Sequence, residues 1–294
     1  MRGKKIKMKN YVITNAYLNT RAFVNLKNSL SAAFEKAGEK AIFLCNDEAY
    51  SLLKTQGAGN PILFFDKDVA LCRLLEKTGY RSINSSKVIE TCDDKAKTFA
   101  GLYGDFSMPK TVLAPFTYQN VGYANLDFVF RAEEELSYPI VVKDGQGSFG
   151  QQVTLAKNRG ELVENLKRLA GRPIVLQEYI AESTGRDLRV YVVGGKAVAC
   201  AERINPNDFR SNVQSGGHML PVNPKDVRYA DFVSLAERVS AYIGADFAGV
   251  DLLFSKVGPL VCEINSNAHF SALSSATGVD VAYEIVKYYL SLKS

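Results

Sequence analysis

The sequence predicts a mixed α/β protein, with an open parallel α/β unit in front and lobes rich in antiparallel strands behind it. Three observations carry this prediction. Strand and helix patterns alternate through the first 90 residues. A glycine-rich stretch, VVKDGQGSFGQQVTL at 141–155, has strand patterns on both sides. From about residue 186 to 265 strand patterns dominate, with a Gly-Gly turn between two of them. Strands separated by helices imply a parallel sheet, and strands joined by tight turns imply antiparallel pairing.

Taken in order, YVITNAY reads as a first strand, and FVNLKNSLSAAFEKAG as a helix stopped by Gly38. AIFLC and PILFF read as buried strands, and DVALCRLLEKTG as a helix ending at Gly79. CDDKAKTFAGLYG opens a new unit, in which Asp93 or Asp94 caps a helix ending near Gly101 or Gly104. FSMPKTVLA is a strand, and YANLDFVFRAEEEL a loop and then a helix. A helix over RGELVENLKRLAG and a strand over IVLQEYI follow the glycine stretch. DLRVYVVGGKAVACAERI is a hairpin turning at Gly194-Gly195, with Asp187, Arg189 and Tyr191 on one face of its first strand. SLAERVSAYIG is an amphipathic helix, and AGVDLLFS and GPLVCEINSN are two further strands.

At 294 residues with 47% hydrophobic content, the chain suffices for about two domains with a large core. No apolar run approaches the roughly 18 residues of a membrane helix, so no membrane span is expected. The basic start MRGKKIKMKNYVIT has no apolar signal core, so export is not expected. The net charge of +5 is local: Arg2, Lys4, Lys5, Lys7 and Lys9 account for it, and the remaining 31 basic residues match the 31 acidic ones. Total charge therefore gives no support to a nucleic-acid surface. Cys45, Cys72, Cys92, Cys200 and Cys262 form no C-x-x-C pair and fit free thiols in a reducing cytoplasm. His218 and His269 form no zinc spacing.

Gly145, Gly147 and Gly150 have the spacing G-x-G-x-x-G. A dinucleotide fingerprint would need a helix after the third glycine. Gln151 to Ala156 instead alternate polar and apolar, which is a strand period. The stretch is therefore a hairpin with a glycine tip. Such a tip can cover phosphates with backbone N–H groups, with Lys143 adding a charge, and it can equally be a plain surface turn.

In LVCEIN, Glu263 and Asn265 share a face, while Cys262 and Ile264 are expected on the other; Asp251 stands at the start of the preceding strand. If the two strands pair, three oxygen donors converge as Mg²⁺ would require. Polar strand ends near solvent would give the same residues. NPNDFRSNVQSGG gathers Arg203, Asp208, Arg210, Ser211 and Asn212 nearby, as a phosphate or carboxylate site or as a polar loop.

These pieces occur in a familiar order. CDDKAKT, YPIVVKDGQGSFGQQV, LQEYIAESTGRDLRVYVVGGKAVACAERI, NDFRSN, AGVDLLF and PLVCEINSN, across residues 90–270, resemble the ATP-grasp superfamily, and within it the RimK-like ligases that join glutamate or another amino acid to a carboxylate. The resemblance implies an N-terminal α/β domain at 1–90, a central lobe with a glycine flap at 91–175, and a C-terminal lobe with a metal site at 176–294. ATP would lie between the two lobes.

By the same resemblance, Lys95 and Lys143 contact ATP phosphates under the flap Gly147, Ser148, Phe149 and Gly150. Gln177, Glu178, Tyr179 and Ile180 form the hinge that reads the adenine edge. Asp187, Ser211 and Asn212 are nucleotide or substrate contacts, Arg203 and Arg210 face the phosphates and the acyl phosphate, and Asp251, Glu263 and Asn265 hold metal. The implied cofactors are ATP and two Mg²⁺ ions, with Mn²⁺ as a substitute. The implied partners are an amino acid and a carboxylate acceptor, either a small molecule, a peptide or a protein terminus, with no nucleic acid and no membrane. A homo-oligomer, dimer or tetramer, and a cytoplasmic location are expected.

Two departures stand out. The Pro-Gly pair usual after the metal Asn is absent, the chain reading Ser266-Asn267-Ala268-His269-Phe270, and the usual Gly before D-F-R-S-N is Asn207. The first change lies where the acceptor approaches, and His269 either meets a substrate carboxylate there or packs under the loop. A non-catalytic ATP-binding regulator and a D-alanine–D-alanine-type peptide ligase share the fold. The intact Asp251, Glu263 and Asn265 argue against the regulator, and NDFRSN against the peptide ligase.

Overall fold

The computed structural model describes residues 9–147, 152–213 and 216–293. Its first part is β1 (Asn10–Thr14), α1 (Arg21–Lys36), β2 (Ala41–Cys45), α2 (Asn46–Ala49), β3 (Pro61–Phe65), α3 (Val69–Lys77), β4 (Arg81–Ile83) and α4 (Ser86–Cys92). The four strands are parallel in the order β2-β1-β3-β4. β3 is central and wholly buried. β2 is an edge strand and only partly covered, against the expectation of a buried strand: an apolar run alone does not distinguish centre from edge.

The second part is α5 (Lys95–Leu102), β5 (Thr111–Leu113), α6 (Asp127–Glu135), β6 (Ile140–Asp144), β7 (Val153–Ala156), α7 (Arg159–Arg168) and β8 (Ile174–Glu178). Asp94 caps α5, its carboxylate accepting from the N–H groups of Ala96 and Lys97. The strands form an antiparallel sheet in the order β5-β8-β6-β7, with β6 and β7 paired as the predicted hairpin. Its tip, with Ser148, Phe149 and Gly150, lies outside the described residues.

The third part is β9 (Arg186–Val193), β10 (Lys196–Ile204), β11 (His218–Val222), α8 (Ala230–Ile243), β12 (Phe247–Leu253), β13 (Leu260–Asn265), α9 (Ser271–Thr277) and α10 (Val281–Ser291). Its antiparallel order is β11-β10-β9-β12-β13. Gly194 and Gly195 take positive φ at the β9–β10 turn, as a two-residue hairpin of this hand requires. β11 was not assigned from sequence; its Pro221 is tolerated because the strand is an edge. The helices α9 and α10 also lie beyond the sequence assignments.

Strand alternation splits the five-stranded sheet into two faces. Leu188, Val190, Val192, Ala248, Val250, Leu252 and Ile264 pack on α8 residues such as Leu235 and Val239. On the opposite face Tyr191, Val193, Ala201 and Phe247 share a core with α1, α10 and the first sheet, through Leu30, Phe34, Phe65, Phe270 and Tyr289. The central sheet has its own core with α6 and α7, built on Ile140, Val142, Leu162, Leu166 and Leu176. The first and third parts are thus joined by common apolar packing, and the central sheet meets them through polar groups described below. Among the described residues no helix is long and apolar enough to cross a membrane.

Candidate active site between the two antiparallel sheets

The register of the five-stranded sheet assembles the polar cluster. Asp251 stands opposite Glu263 on β13 and opposite Arg189 on β9. Asp187 stands opposite Arg203 on β10. Side chains two apart on a strand share a face, so Arg203, Asp187, Arg189, Asp251, Glu263 and Asn265 all rise from one surface. Asp251 is well inside β12 and only 3% exposed, not at the strand start that the sequence suggested.

Charge pairing here is dense. Arg189 donates to both oxygens of Asp251, at 2.7 Å from Nε and 2.6 Å from an Nη. Arg203 reaches Asp251 at 2.9 Å and also grips Asp187 through two N–H groups, one at 2.7 Å. Burial pushes the Asp251 carboxyl up, but the two guanidiniums outweigh it and hold the group below its ordinary value. Burial likewise acts against the charged form of Arg203, and Asp187 and Asp251 more than reverse it. Buried charges of this kind persist only where partners replace the lost water.

The central part supplies the opposite wall. Lys143 of β6 is buried, its Nζ donating to Gln177 Oε1 at 2.6 Å, and Gln177 donates in turn to Thr111 Oγ1 at 2.9 Å. The Lys143 Nζ lies 3.7 Å from Cys262 Sγ. Lys95, in the first turn of α5, donates to the Gly147 carbonyl at 2.5 Å and pairs with Glu263 at 3.2 Å. The contact with Cys262 corrects the sequence expectation that this side chain points away from Glu263. The pairing register shifts between Asp251 and Leu252, placing an extra residue in β13, and this bulge turns Cys262 toward the cleft.

The remaining predicted residues frame the cleft less directly. Glu178 is tied to Lys110, its N–H donating to the Lys110 carbonyl at 2.9 Å and its carboxylate accepting from the Lys110 N–H at 2.7 Å. Tyr179 bonds Thr184 and meets the Phe209 ring edge-on at 6.5 Å, and Ile180 follows it into the turn that starts at Ala181. Arg210 pairs with Asp208 at 2.6 Å in the loop after β10 and is not among the residues that the sheet register assembles. That loop is pinned at Gly185, whose N–H donates to the Phe209 carbonyl at 2.8 Å. Ser211 is buried, and Asn212 accepts the Gly217 N–H through its carbonyl at 3.2 Å.

Arg189 is the group that sequence reasoning missed as a site residue. Its signal was available: it shares a strand face with Asp187, and only the register opposite Asp251 was lacking. The oxygen donors Asp251, Glu263 and Asn265 on one surface fit a hard divalent cation. Lys95, Lys143, Arg189 and Arg203 give four cations against the three carboxylates Asp187, Asp251 and Glu263. Such a surface accepts a polyanion once a cation offsets its charge.

Residues 93–289 match the RimK-like ATP-grasp domain. Beta-citrylglutamate synthase B of Danio rerio is 35% identical over 232 residues, covering 77% of this chain and 55% of its own. N-acetylaspartylglutamate synthase A of Homo sapiens is 34% identical over 235 residues, covering 79% of this chain and 58% of its own. The chain thus spans little more than half the length of these two relatives. The crystal structure of a RimK domain ATP-grasp protein from Sphaerobacter thermophilus DSM 20745 superposes with a TM-score of 0.67 at 21% identity, covering 95% of this chain and 98% of that one.

Proposed function

The chain belongs to the RimK-like ATP-grasp family, and from that premise we propose that it is an ATP-dependent carboxylate–amine ligase that attaches an amino acid such as glutamate to an acceptor. The observation that carries this reading is the register that sets Asp251 opposite Glu263, with Asn265 two residues along on the same face. Glutamate enters from the names of the synthases to which the chain is similar. The acceptor is an acid, and the three parts of the chain correspond to a front domain at 1–90, a flap lobe at 91–175 and a metal lobe at 176–294.

Amide formation in water starts from a poor electrophile. The acid oxygen attacks the γ-phosphorus of ATP, the bond to the bridging oxygen breaks, and ADP leaves. The amine nitrogen then attacks the acyl carbon, the carbon–oxygen bond to phosphate breaks, and the nitrogen gives up a proton. No protein nucleophile is needed, so the residues contribute position and charge. Lys95 and Lys143 cradle phosphate oxygens, with the tip 147–150 closing over them and excluding water. Arg203 and Arg210 stabilise the charge that develops on the transferring phosphoryl group. Gln177 to Ile180 hold the adenine edge, and Asp187, Ser211 and Asn212 complete the nucleotide contacts. Asp251, Glu263 and Asn265 would hold Mg²⁺, two ions or Mn²⁺ in their place, which screens the repulsion between carboxylate and triphosphate.

Phosphate release tests this reading, measured with ATP, Mg²⁺, L-glutamate and a panel of acids including citrate and N-acetylaspartate. Release that needs both an acid and an amine, and that falls at least about a thousand-fold in Glu263→Gln, is the expected result. Unchanged turnover in Glu263→Gln removes the metal assignment. Tight ATP binding with no turnover in any mixture favours the regulator.

A further inference from the structure

Three polar side chains form a row across the central sheet. β8 runs between β5 and β6, with Thr111 directly opposite Gln177 and Lys143 opposite Val175. Directly opposed residues share a face, and so do residues two apart on one strand. Thr111, Gln177 and Lys143 therefore stand on the same face. Their neighbours Val112, Leu176 and Val142 turn the other way, into the core with α6 and α7. The polar face looks toward the five-stranded sheet, since Lys143 Nζ comes within 3.7 Å of Cys262 Sγ on β13.

Donor and acceptor chemistry orders these contacts. An ammonium only donates, so Lys143 must face the oxygen of the Gln177 amide, at 2.6 Å. The Gln177 NH₂ is thereby turned the other way, where it donates to Thr111 Oγ1 at 2.9 Å. The Thr111 hydroxyl gives its one proton to the Pro109 carbonyl at 2.8 Å, which leaves its oxygen to accept. Each bond fixes the polarity of the next, and the series ends on a main-chain carbonyl just before β5. Gln177 is only 4% exposed, so losing the Thr111 oxygen leaves its NH₂ short of a partner and frees the amide to turn. On its other side the Lys143 ammonium meets the Cys262 thiol, which comes from the opposite wall of the cleft. An ammonium has three N–H groups. Gln177 and Cys262 take two of them, and no contact among the described residues takes the third.

We propose that Thr111 and Cys262 are positioning residues for the Lys143 ammonium: Thr111 through the Gln177 amide, and Cys262 by direct contact, hold it with one N–H left for a phosphate oxygen of the nucleotide. The inference rests on the ligase reading above. Thr111 and Cys262 bring no charge to the phosphates, so their effect passes through the place of Lys143. That place matters because a charge-assisted N–H···O bond weakens steeply when it is stretched or bent. A lysine reaching in from one wall alone would keep the freedom of its four-carbon stem, and two acceptors on opposite walls remove it.

The test is calorimetry on the full chain with Mg²⁺, titrated with AMPPNP and separately with adenosine, which lacks the phosphates. Lys143→Met is expected to lower AMPPNP affinity at least about ten-fold and to leave adenosine affinity unchanged. Thr111→Val and Cys262→Ala should each lower AMPPNP affinity at least about three-fold, again without change for adenosine, and Thr111→Ser should restore the lost affinity. Combined with Lys143→Met, neither Thr111→Val nor Cys262→Ala should lower AMPPNP affinity further, which is the result that a purely structural role would not give. Cys262→Ala carries the test if Thr111→Val does not fold. Variants that keep AMPPNP affinity, that lose adenosine affinity equally, or whose losses add to that of Lys143→Met overturn the positioning role. A protein that shows the expected couplings and releases no phosphate with any acid and amine overturns the ligase reading alone.

Discussion

Arg189 closes on Asp251 with two parallel hydrogen bonds, at 2.7 and 2.6 Å, across the pairing of β9 with β12. A fork of this kind fixes the plane of the carboxylate as well as its charge. It also occupies both oxygens of a proposed metal ligand. Arg189 then serves as the countercharge that keeps Asp251 ionised and oriented when no cation is bound.

Replacing Arg189 by Met tests this. Arg203 remains at 2.9 Å from Asp251, so the charge is only half compensated. Breaking a buried pair costs about 3–5 kcal/mol, and the surviving arginine places the expected loss at the low end of that range. We expect a lower Tm and phosphate release reduced at least about a hundred-fold. Adding Mg²⁺ should raise the Tm of Arg189→Met more than that of the unaltered protein, because the ion substitutes for the lost guanidinium. Equal Mg²⁺ shifts in a thermal melt would count against Asp251 as a metal ligand.

Asn84 pins the first part of the chain to the third. Its Nδ2 donates to the Phe247 and Ser266 carbonyls at 2.8 and 2.9 Å, and its Oδ1 accepts from the N–H groups of Asp246 and Phe247 at 2.6 and 3.2 Å. The residue is wholly buried, so Asn84→Ala removes this partner from backbone groups at the start of β12 and just after β13. Each of the four groups costs about 1–3 kcal/mol, and a total loss of at least about 4 kcal/mol is expected. Denaturant melts measure it, and a loss under about 1 kcal/mol would show that these groups find other partners.

The alternation of strand and helix, the glycine hairpin, and the shared face of Glu263 and Asn265 were legible because each rests on local period. The role of Arg189 was not, because it depends on which residue lies opposite on a strand 62 positions away. Cys262 was misplaced for a related reason: strict alternation holds only until a bulge, and nothing local in LVCEIN marks one. β11 hid in a polar, glycine-bearing stretch, where an edge strand needs little apolar surface. Asn84 gave no signal at all, since an amide that bridges two parts of a chain looks in sequence like any turn residue.

Asp66 links pH to stability. Its carboxyl is raised above 3.8, first by burial, with Asn15 and the N–H groups of Lys67 and Asp68 pulling the other way. The folded-state value is therefore above the unfolded one. The protonated form favours folding, so its contribution is complete below pH 3.8 and is lost as pH rises through the raised folded value. At neutral pH the ionised group costs stability. Asp66→Asn is expected to raise the Tm at pH 7 by a few degrees and to lose that advantage below pH 3.8. A Tm at pH 7 that falls in the variant would show that the charge is held by more than its burial suggests.

Gly145, the first glycine of the hairpin loop, has a structural task separate from the tip. Its N–H donates to the Pro173 carbonyl and its carbonyl accepts from the Lys95 N–H, both at 2.7 Å. A Cβ there would stand 2.8 Å from the Pro173 Cβ and 3.1 Å from Asp94 Oδ1. Asp94 is the cap of α5, and Lys95 in its first turn reaches Glu263. Gly145→Ala must therefore push the cap or the proline aside, and Lys95 moves with the cap. Overpacking of this kind costs about 1–3 kcal/mol. The expected result is a modest fall in Tm with ATP affinity reduced about ten-fold or more, read by calorimetry with Mg²⁺ and AMPPNP. Gly57→Ala is the control, since it clashes with backbone of the first part, the Tyr80 nitrogen at 2.3 Å, far in the chain from the nucleotide groups. Its Tm should fall while the affinity of the folded protein holds. If both variants lose stability and neither loses affinity, Gly145 serves the fold alone, and the coupling between the glycine loop and Lys95 is refuted.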